Sequence, residues 1–179
     1  MPKKLGRQAG VFWHSDGASL DVPPQATALY IRQAPKAGGQ TSFIDMVQAY
    51  QALPEHLKSY LDGKTGCFTK NVSYVGMQNV GKAEAIHPLV WQHRHINRCA
   101  LYTNNKFLSH ICDVEKTESE RVLAKLAESS LKDESTFTHT WQDNDLIIWD
   151  NDQVIHKATP TPGGEIKEGL RIILESQAA

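Results

Sequence analysis

His14 and Asp16 stand two residues apart in Trp13-His14-Ser15-Asp16-Gly17, and a further histidine, His156, follows 140 residues after Asp16. Residues i and i+2 of a strand point to the same face, so an imidazole and a carboxylate at this spacing can grip one ion from one side. Two histidines and one carboxylate on one octahedral face are the ligand set of non-haem Fe(II) centres, and they leave three positions open for chemistry. Asp16 would bring one negative charge and a hard oxygen, which suits Fe(II). The triplet alone arises often by chance. His14 could be a surface histidine, and Asp16 could cap a turn before Gly17.

The other histidines carry a weaker signal. His87 precedes Pro88 in a strand-like block and reads as a structural hydrogen-bonder. His93 and His95 form an H-x-H pair that a strand could turn toward a metal. They fall in an expected hairpin around Asn97-Arg98, and so read as a solvent-exposed turn.

Further blocks accompany the triplet. Gly38-Gly39-Gln40-Thr41-Ser42-Phe43-Ile44-Asp45-Met46 and Ala49-Tyr50-Gln51-Ala52-Leu53-Pro54 come first. His87-Pro88-Leu89-Val90, Ala100-Leu101-Tyr102-Thr103-Asn104, Trp141 to Leu146, Trp149-Asp150-Asn151, His156 and Arg171 follow in order. Across roughly residues 11 to 175, this series resembles the TauD/TfdA-like dioxygenases, which use Fe(II) and 2-oxoglutarate.

The resemblance implies a double-stranded β-helix, or jelly roll, mainly β with flanking helices, and such a fold can bring strands distant in sequence side by side. It implies that His14, Asp16 and His156 hold Fe(II). It also implies that Thr41, 27 residues after His14, and Arg171, 15 residues after His156, hold the far carboxylate of the 2-oxoglutarate co-substrate. An arginine offers a carboxylate two parallel donors, which lysine cannot. The reaction implied consumes dioxygen, releases succinate and CO2, and oxidises a small organic substrate, an organic acid by analogy with relatives. A metal-binding cupin-like barrel and a catalytically incomplete jelly roll are the alternatives, and Thr41 with Arg171 argues against the first.

The chain departs from the family pattern in three places. Family members often show two arginines four residues apart; without a gap Lys167 takes the first position and Arg171 the second. This alignment lets Arg171 lead into the apolar run Ile172-Ile173-Leu174, whereas a four-residue insertion would pair Arg171 with Glu175. Asp152 stands where an arginine is common. Only twelve residues precede Trp13, where the family carries a longer segment, and an uncovered barrel mouth predicts exposed apolar surface and a homodimer.

Composition bounds the remaining possibilities. A chain of 179 residues fits one domain, 1–179, with a sizeable core. Its formal net charge of −1 suggests neither a nucleic-acid nor a membrane-surface partner. No apolar run is long enough to span a bilayer, and Leu5-Gly6-Arg7-Gln8 is too polar for a signal peptide. Cys67, Cys99 and Cys112 read as reduced thiols of a cytoplasmic protein.

The elements that must position the site follow from periodicity. Thr27 to Ile31, Leu146 to Trp149 and Leu170 to Leu174 read as strands, and Pro35 to Gly39 as a turn. Asp45 to Leu61 has helical spacing in two pieces, with Pro54 starting the second. Val114 to Leu131 is the clearest helix, with Thr117 to Glu120 as its capping box. Asp62 to Lys82 reads as a loop or lid; Lys64 to Lys82 and Gly17 to Ser19 are expected to line the pocket. Trp13, Trp149 and Phe107 are aromatics of the pocket or of the core.

Overall fold

The structure, a computed structural model, describes residues 10–69, 84–103 and 106–175. The elements are mostly short strands. The sheets are β11(Glu168–Leu174), β1(Ala26–Gln33) and β9(Asp145–Asp150) in that order; then β10(Val154–Ala158), β2(Thr41–Asp45) and β8(Thr136–His139); then β4(Glu84–Pro88), β3(Thr65–Thr69) and β7(Leu108–Ile111). β5(Val90–Gln92) and β6(Cys99–Leu101) form a hairpin. Each named strand pairing is antiparallel. The neighbours in the first two sheets come from opposite ends of the chain, and this places residues near His14 beside residues near His156. The architecture is the jelly roll.

Strand alternation sorts the side chains into two layers. On β2, Ile44 joins Ile155 of β10 in the main core, which also takes in Met46, Val47, Leu61, Leu101, Ile111, Val122 and Leu126. These residues come largely from α1(Met46–Gln51), α2(Glu55–Leu61) and α3(Lys116–Ser130), which cover that side of the sheet. Thr41 and Phe43, one residue off Ser42 and Ile44, face the opposite way, with Ala158 and His156 as their cross-strand partners. Phe43 meets Trp149 of β9 with ring centroids 5.5 Å apart, so one aromatic contact ties two sheets together inside the barrel.

Three expectations need correction. The cap of α3 is Glu115, whose side chain accepts from the Thr117 and Glu118 amides, rather than Thr117. Glu115, two residues before Thr117, serves amides of the first turn and meets the helix dipole with a full negative charge. The stretch read as a loop from Asp62 begins with strand β3, whose Cys67 and Phe68 are buried against β4 and β7; residues 70–82 lie outside the described residues. His93 is buried, not exposed. Its Nδ1 accepts from the His95 and Ile96 amides, and its Nε2 donates to Asp150 at 2.8 Å. The hairpin itself is where the sequence placed it, and His95 at its tip is exposed.

Among the described residues no helix is long and apolar enough to cross a membrane. None of Cys67, Cys99 and Cys112 forms a disulfide among the described residues.

Candidate metal centre

His14 and His156 face each other directly. Each donates its amide to the other's carbonyl, at 3.0 and 2.9 Å, in a single antiparallel bridge. Residues paired this way project their side chains to one side, and the two imidazole centroids are 4.2 Å apart. After His14 the chain leaves the bridge in a turn at Asp16, and Gly17 follows with φ +67°, where an added Cβ would meet Pro24 at 2.4 Å. The short reversal swings the Asp16 carboxylate back beneath both rings: its Oδ1 is 3.6 Å from His14 Nε2 and 3.8 Å from His156 Nε2. One donor atom from each of the three residues lies within 4.8 Å of the others, and all three residues are buried.

The surroundings set the protonation states. His14 Nδ1 donates to the Phe12 carbonyl at 2.8 Å, which leaves Nε2 with its lone pair toward Asp16. Burial lowers the pKa of His14 and pushes that of His156 down to about 3, so both rings are neutral at pH 7. Burial alone would raise the Asp16 pKa. His156, Arg171 and His14, together with the hydroxyl of Thr27, outweigh burial and hold the carboxyl well below the usual range. Two neutral imidazoles and one carboxylate, converging without solvent, are a donor set for a divalent metal ion. His156 Nδ1 is buried without a hydrogen-bond partner, so the protein gives that ring no other polar task.

A layer behind the ligands was not singled out in the sequence. Thr27 of β1 donates its hydroxyl to Asp16 Oδ2 at 2.6 Å, and Asn151 Nδ2 donates to Thr27 Oγ1 at 3.1 Å and to the Pro24 carbonyl at 3.2 Å. Thr27, a polar residue inside the apolar run from Ala26 to Ile31, carried a signal that could have marked it; Asn151 stands between Asp150 and Asp152, where a buried position does not show in the sequence. Aromatic rings close the rest: Phe12 and Phe107 lie 5.3 and 6.0 Å from His14, Trp149 and Phe43 4.7 and 6.1 Å from His156. Trp13 turns the other way. It packs on the main core under Lys157, whose Nζ is 4.6 Å from its ring centre.

The two expected co-substrate residues have different partners in the structure. Thr41 is buried and accepts from Trp141 Nε1 at 3.0 Å. The Arg171 guanidinium forms an ion pair with Asp16 Oδ1, at the metal position. The cation that reaches Trp141 is Lys167, with Nζ 4.9 Å from the ring centre.

A second cluster, His93, Asp150 and Asp152, is equally compact. There Arg94 pairs with Asp152 at 3.1 Å and His93 commits its proton to Asp150, which makes the cluster a clamp between the β5–β6 hairpin and the turn from β9 to β10 rather than a metal site. His87 donates from Nε2 to the Leu20 carbonyl at 3.0 Å, the structural role expected of it.

The family model described as "Taurine catabolism dioxygenase TauD, TfdA family" matches residues 2–173. The chain belongs to the TauD/TfdA family. It is 31% identical over 162 residues to the (S)-phenoxypropionate/alpha-ketoglutarate-dioxygenase of Sphingobium herbicidovorans, a match covering 83% of this chain and 56% of that protein. It is 31% identical over 163 residues to the alpha-ketoglutarate-dependent 2,4-dichlorophenoxyacetate dioxygenase of Cupriavidus pinatubonensis, covering 86% of this chain and 56% of that protein. A taurine dioxygenase structure from Burkholderia xenovorans superposes with a TM-score of 0.82 at 26% identity, over 98% of this chain and 60% of that one. This TauD/TfdA-family chain thus spans little more than half the length of the curated relatives it matches.

Proposed function

We propose that this chain holds the catalytic centre of an Fe(II)- and 2-oxoglutarate-dependent dioxygenase acting on a small organic anion. The observation that carries the reading is the buried His14–Asp16–His156 face, with both imidazoles neutral and the carboxylate ionised. His14 and His156 would hold the ion through Nε2 and Asp16 through Oδ1. Bound there, Fe(II) would supply the coupling of dioxygen to oxidative decarboxylation of 2-oxoglutarate, with oxidation of a substrate C–H bond. The protein's own residues do the rest. Thr27 fixes the rotation of Asp16, and the four aromatic rings keep water from the ligands. Arg171 gives the metal side a fixed positive charge. The two relatives described are named for substrates that carry a carboxylate, which such a charge would attract. Three cysteines outside any disulfide suit a reducing, cytoplasmic setting.

The test is anaerobic addition of Fe(II) and then 2-oxoglutarate. A visible charge-transfer band, and succinate release once oxygen and a small organic acid are admitted, are the expected results. Metal binding with neither band nor succinate would sink the reading and favour a cupin-like barrel.

The working unit is a dimer. On the β11-β1-β9 sheet the residues paired with Ala28 and Tyr30 face outward: Leu146, Ile148, Leu170 and Ile172, with Leu174 beyond. These five side chains are 43 to 62% exposed. They form an apolar patch without a charge among them, and such patches mark an interface when they reach roughly several hundred Å². A standard interface needs about 800 Å² from each partner, and an uncharged face is best matched by its own copy across a two-fold axis. Light scattering at micromolar concentration should return twice the 20.0 kDa chain mass, and Ile148→Asp should return one chain. A monomeric unsubstituted protein removes the dimer.

A further inference from the structure

The β5–β6 hairpin grips the turn from β9 to β10 on both sides of Asn151. His93 Nε2 donates to Asp150 Oδ2 at 2.8 Å, and Arg94 Nη2 donates to Asp152 Oδ1 at 3.1 Å. Asp150 steadies the turn from within, accepting from the Asp152 amide at 2.8 Å and from Gln153 Nε2 at 3.0 Å. The Asp152 side chain is 1% exposed, and among the described residues Arg94 is its one ion-pair partner. The guanidinium lies over the Trp91 ring of the same hairpin, 5.5 Å from its centre, which restricts the directions it can take.

Arg94 and Asn151 also reach across to the segment ahead of β1. Arg94 Nη2 donates to the Pro23 carbonyl at 3.1 Å, Asn151 Nδ2 to the Pro24 carbonyl at 3.2 Å, and the Asn151 amide to the Gln25 carbonyl at 2.8 Å. Consecutive carbonyls are thus held by one turn and one arginine. Proline has no amide proton to give, so the Pro23-Pro24 stretch is fixed through its carbonyls. Two residues past Gln25 stands Thr27. Its hydroxyl donates to Asp16 Oδ2 at 2.6 Å and accepts from Asn151 Nδ2 at 3.1 Å. The donor to the metal ligand and the amide that fixes that donor therefore sit on the two segments that Arg94 ties together.

We propose that Arg94 is a positioning residue for the metal ligand Asp16: it locks the Asn151 turn onto the Pro23–Gln25 segment, and Thr27 carries that alignment to the carboxylate. The proposal rests on the metal-centre reading above. A guanidinium suits the task because a single terminal nitrogen carries two protons, one for the Pro23 carbonyl and one for Asp152. Asp152, a departure from the family pattern, is what gives Arg94 its carboxylate. His93 holds the other flank of the turn at Asp150 but makes no recorded bond to the proline segment, so the tie between the two segments falls to Arg94 and Asn151.

The experiment is a double-mutant cycle on metal affinity, read by anaerobic calorimetric titration of the metal-free protein with Fe(II) beside its thermal melt. Arg94→Met alone would leave the Asp152 carboxylate buried and unpaired, so the cycle is run in Asp152→Asn protein, whose amide keeps the shape and an acceptor. In that reference Arg94→Met should weaken Fe(II) about three- to ten-fold, less than the loss of a group touching the ligand itself, because Arg94 acts through Thr27. With Thr27→Val also present, Arg94→Met should cost less than about two-fold, since the carboxylate has already lost the donor through which Arg94 acts. A latch that serves the fold alone would lower the melting temperature and leave the metal affinity where it was. Where methionine does not fold, Arg94→Gln takes its place in the cycle, and the same coupling to Thr27 is required. No loss with Thr27 present, or equal fold-losses with and without Thr27, would overturn the proposal alone. An unsubstituted protein that takes up no Fe(II) would overturn the metal-centre reading and the proposal together.

Discussion

His14→Ala, Asp16→Ala and His156→Ala are each expected to abolish tight Fe(II) binding and, with it, turnover. The three donors lie within 4.8 Å of one another, with no fourth His, Cys, Asp or Glu in the group among the described residues. Two remaining ligands are a poor hold for a first-row ion that binds weakly in the Irving–Williams order. The fold should survive the histidine changes. The bridge between His14 and His156 is made by backbone groups, which alanine keeps. Asp16→Ala is harsher, because it strips Arg171 of its partner and leaves the Thr27 hydroxyl without its acceptor. Metal titration beside a thermal melt of the metal-free protein separates the outcomes. Tight binding retained by any one variant would remove that residue from the centre.

The reach of sequence reasoning is visible residue by residue. His14 and Asp16 were legible because two-residue spacing is a local geometric statement. The convergence of His156 on His14 and Asp16 was legible only through the order of blocks, since pairing β10 with β2 and with the His14 segment is a long-range event. The strands β1, β9 and β11 followed from β-branched apolar runs, and the break between α1 and α2 from Pro54.

The misreading of His93 has a long-range cause: a side-chain partner supplied from far along the chain. His93 sits in a polar hairpin that looks exposed, yet Asp150, 57 residues later, receives its proton. Spacing alone does not distinguish the surroundings of Lys167 and Arg171; in the structure Lys167 lies over the Trp141 indole and Arg171 pairs with Asp16. The exchange of Thr117 for Glu115 as helix cap was a local error: both stand at the helix start with a side-chain oxygen, and it is Glu115 that accepts from the Thr117 and Glu118 amides.

Thr27→Val is expected to weaken metal affinity by about 10- to 100-fold, the usual cost of removing a group that orients a ligand. Asp16 has two oxygens with different tasks. Oδ1 faces both imidazoles, and Oδ2 is held by the Thr27 hydroxyl at 2.6 Å. Thr27 is fully buried and is itself fixed by Asn151, whose amide also grips the Pro24 carbonyl. Valine matches threonine in shape, so the change opens no cavity. It removes the one donor to Oδ2 recorded in the structure, leaves that oxygen buried without water, and lets the carboxylate rotate away from the metal. Asn151→Leu should act in the same direction with a smaller effect, because Asn151 reaches Asp16 only through Thr27. Thr27→Ser supplies the decisive control: it restores a hydroxyl while losing a methyl group. A ligand-orienting role requires serine to recover metal affinity even where the melting temperature stays low. If valine and serine weaken the metal equally, or valine binds it as tightly as threonine, Thr27 is packing material and Asp16 is held in place by the ions around it.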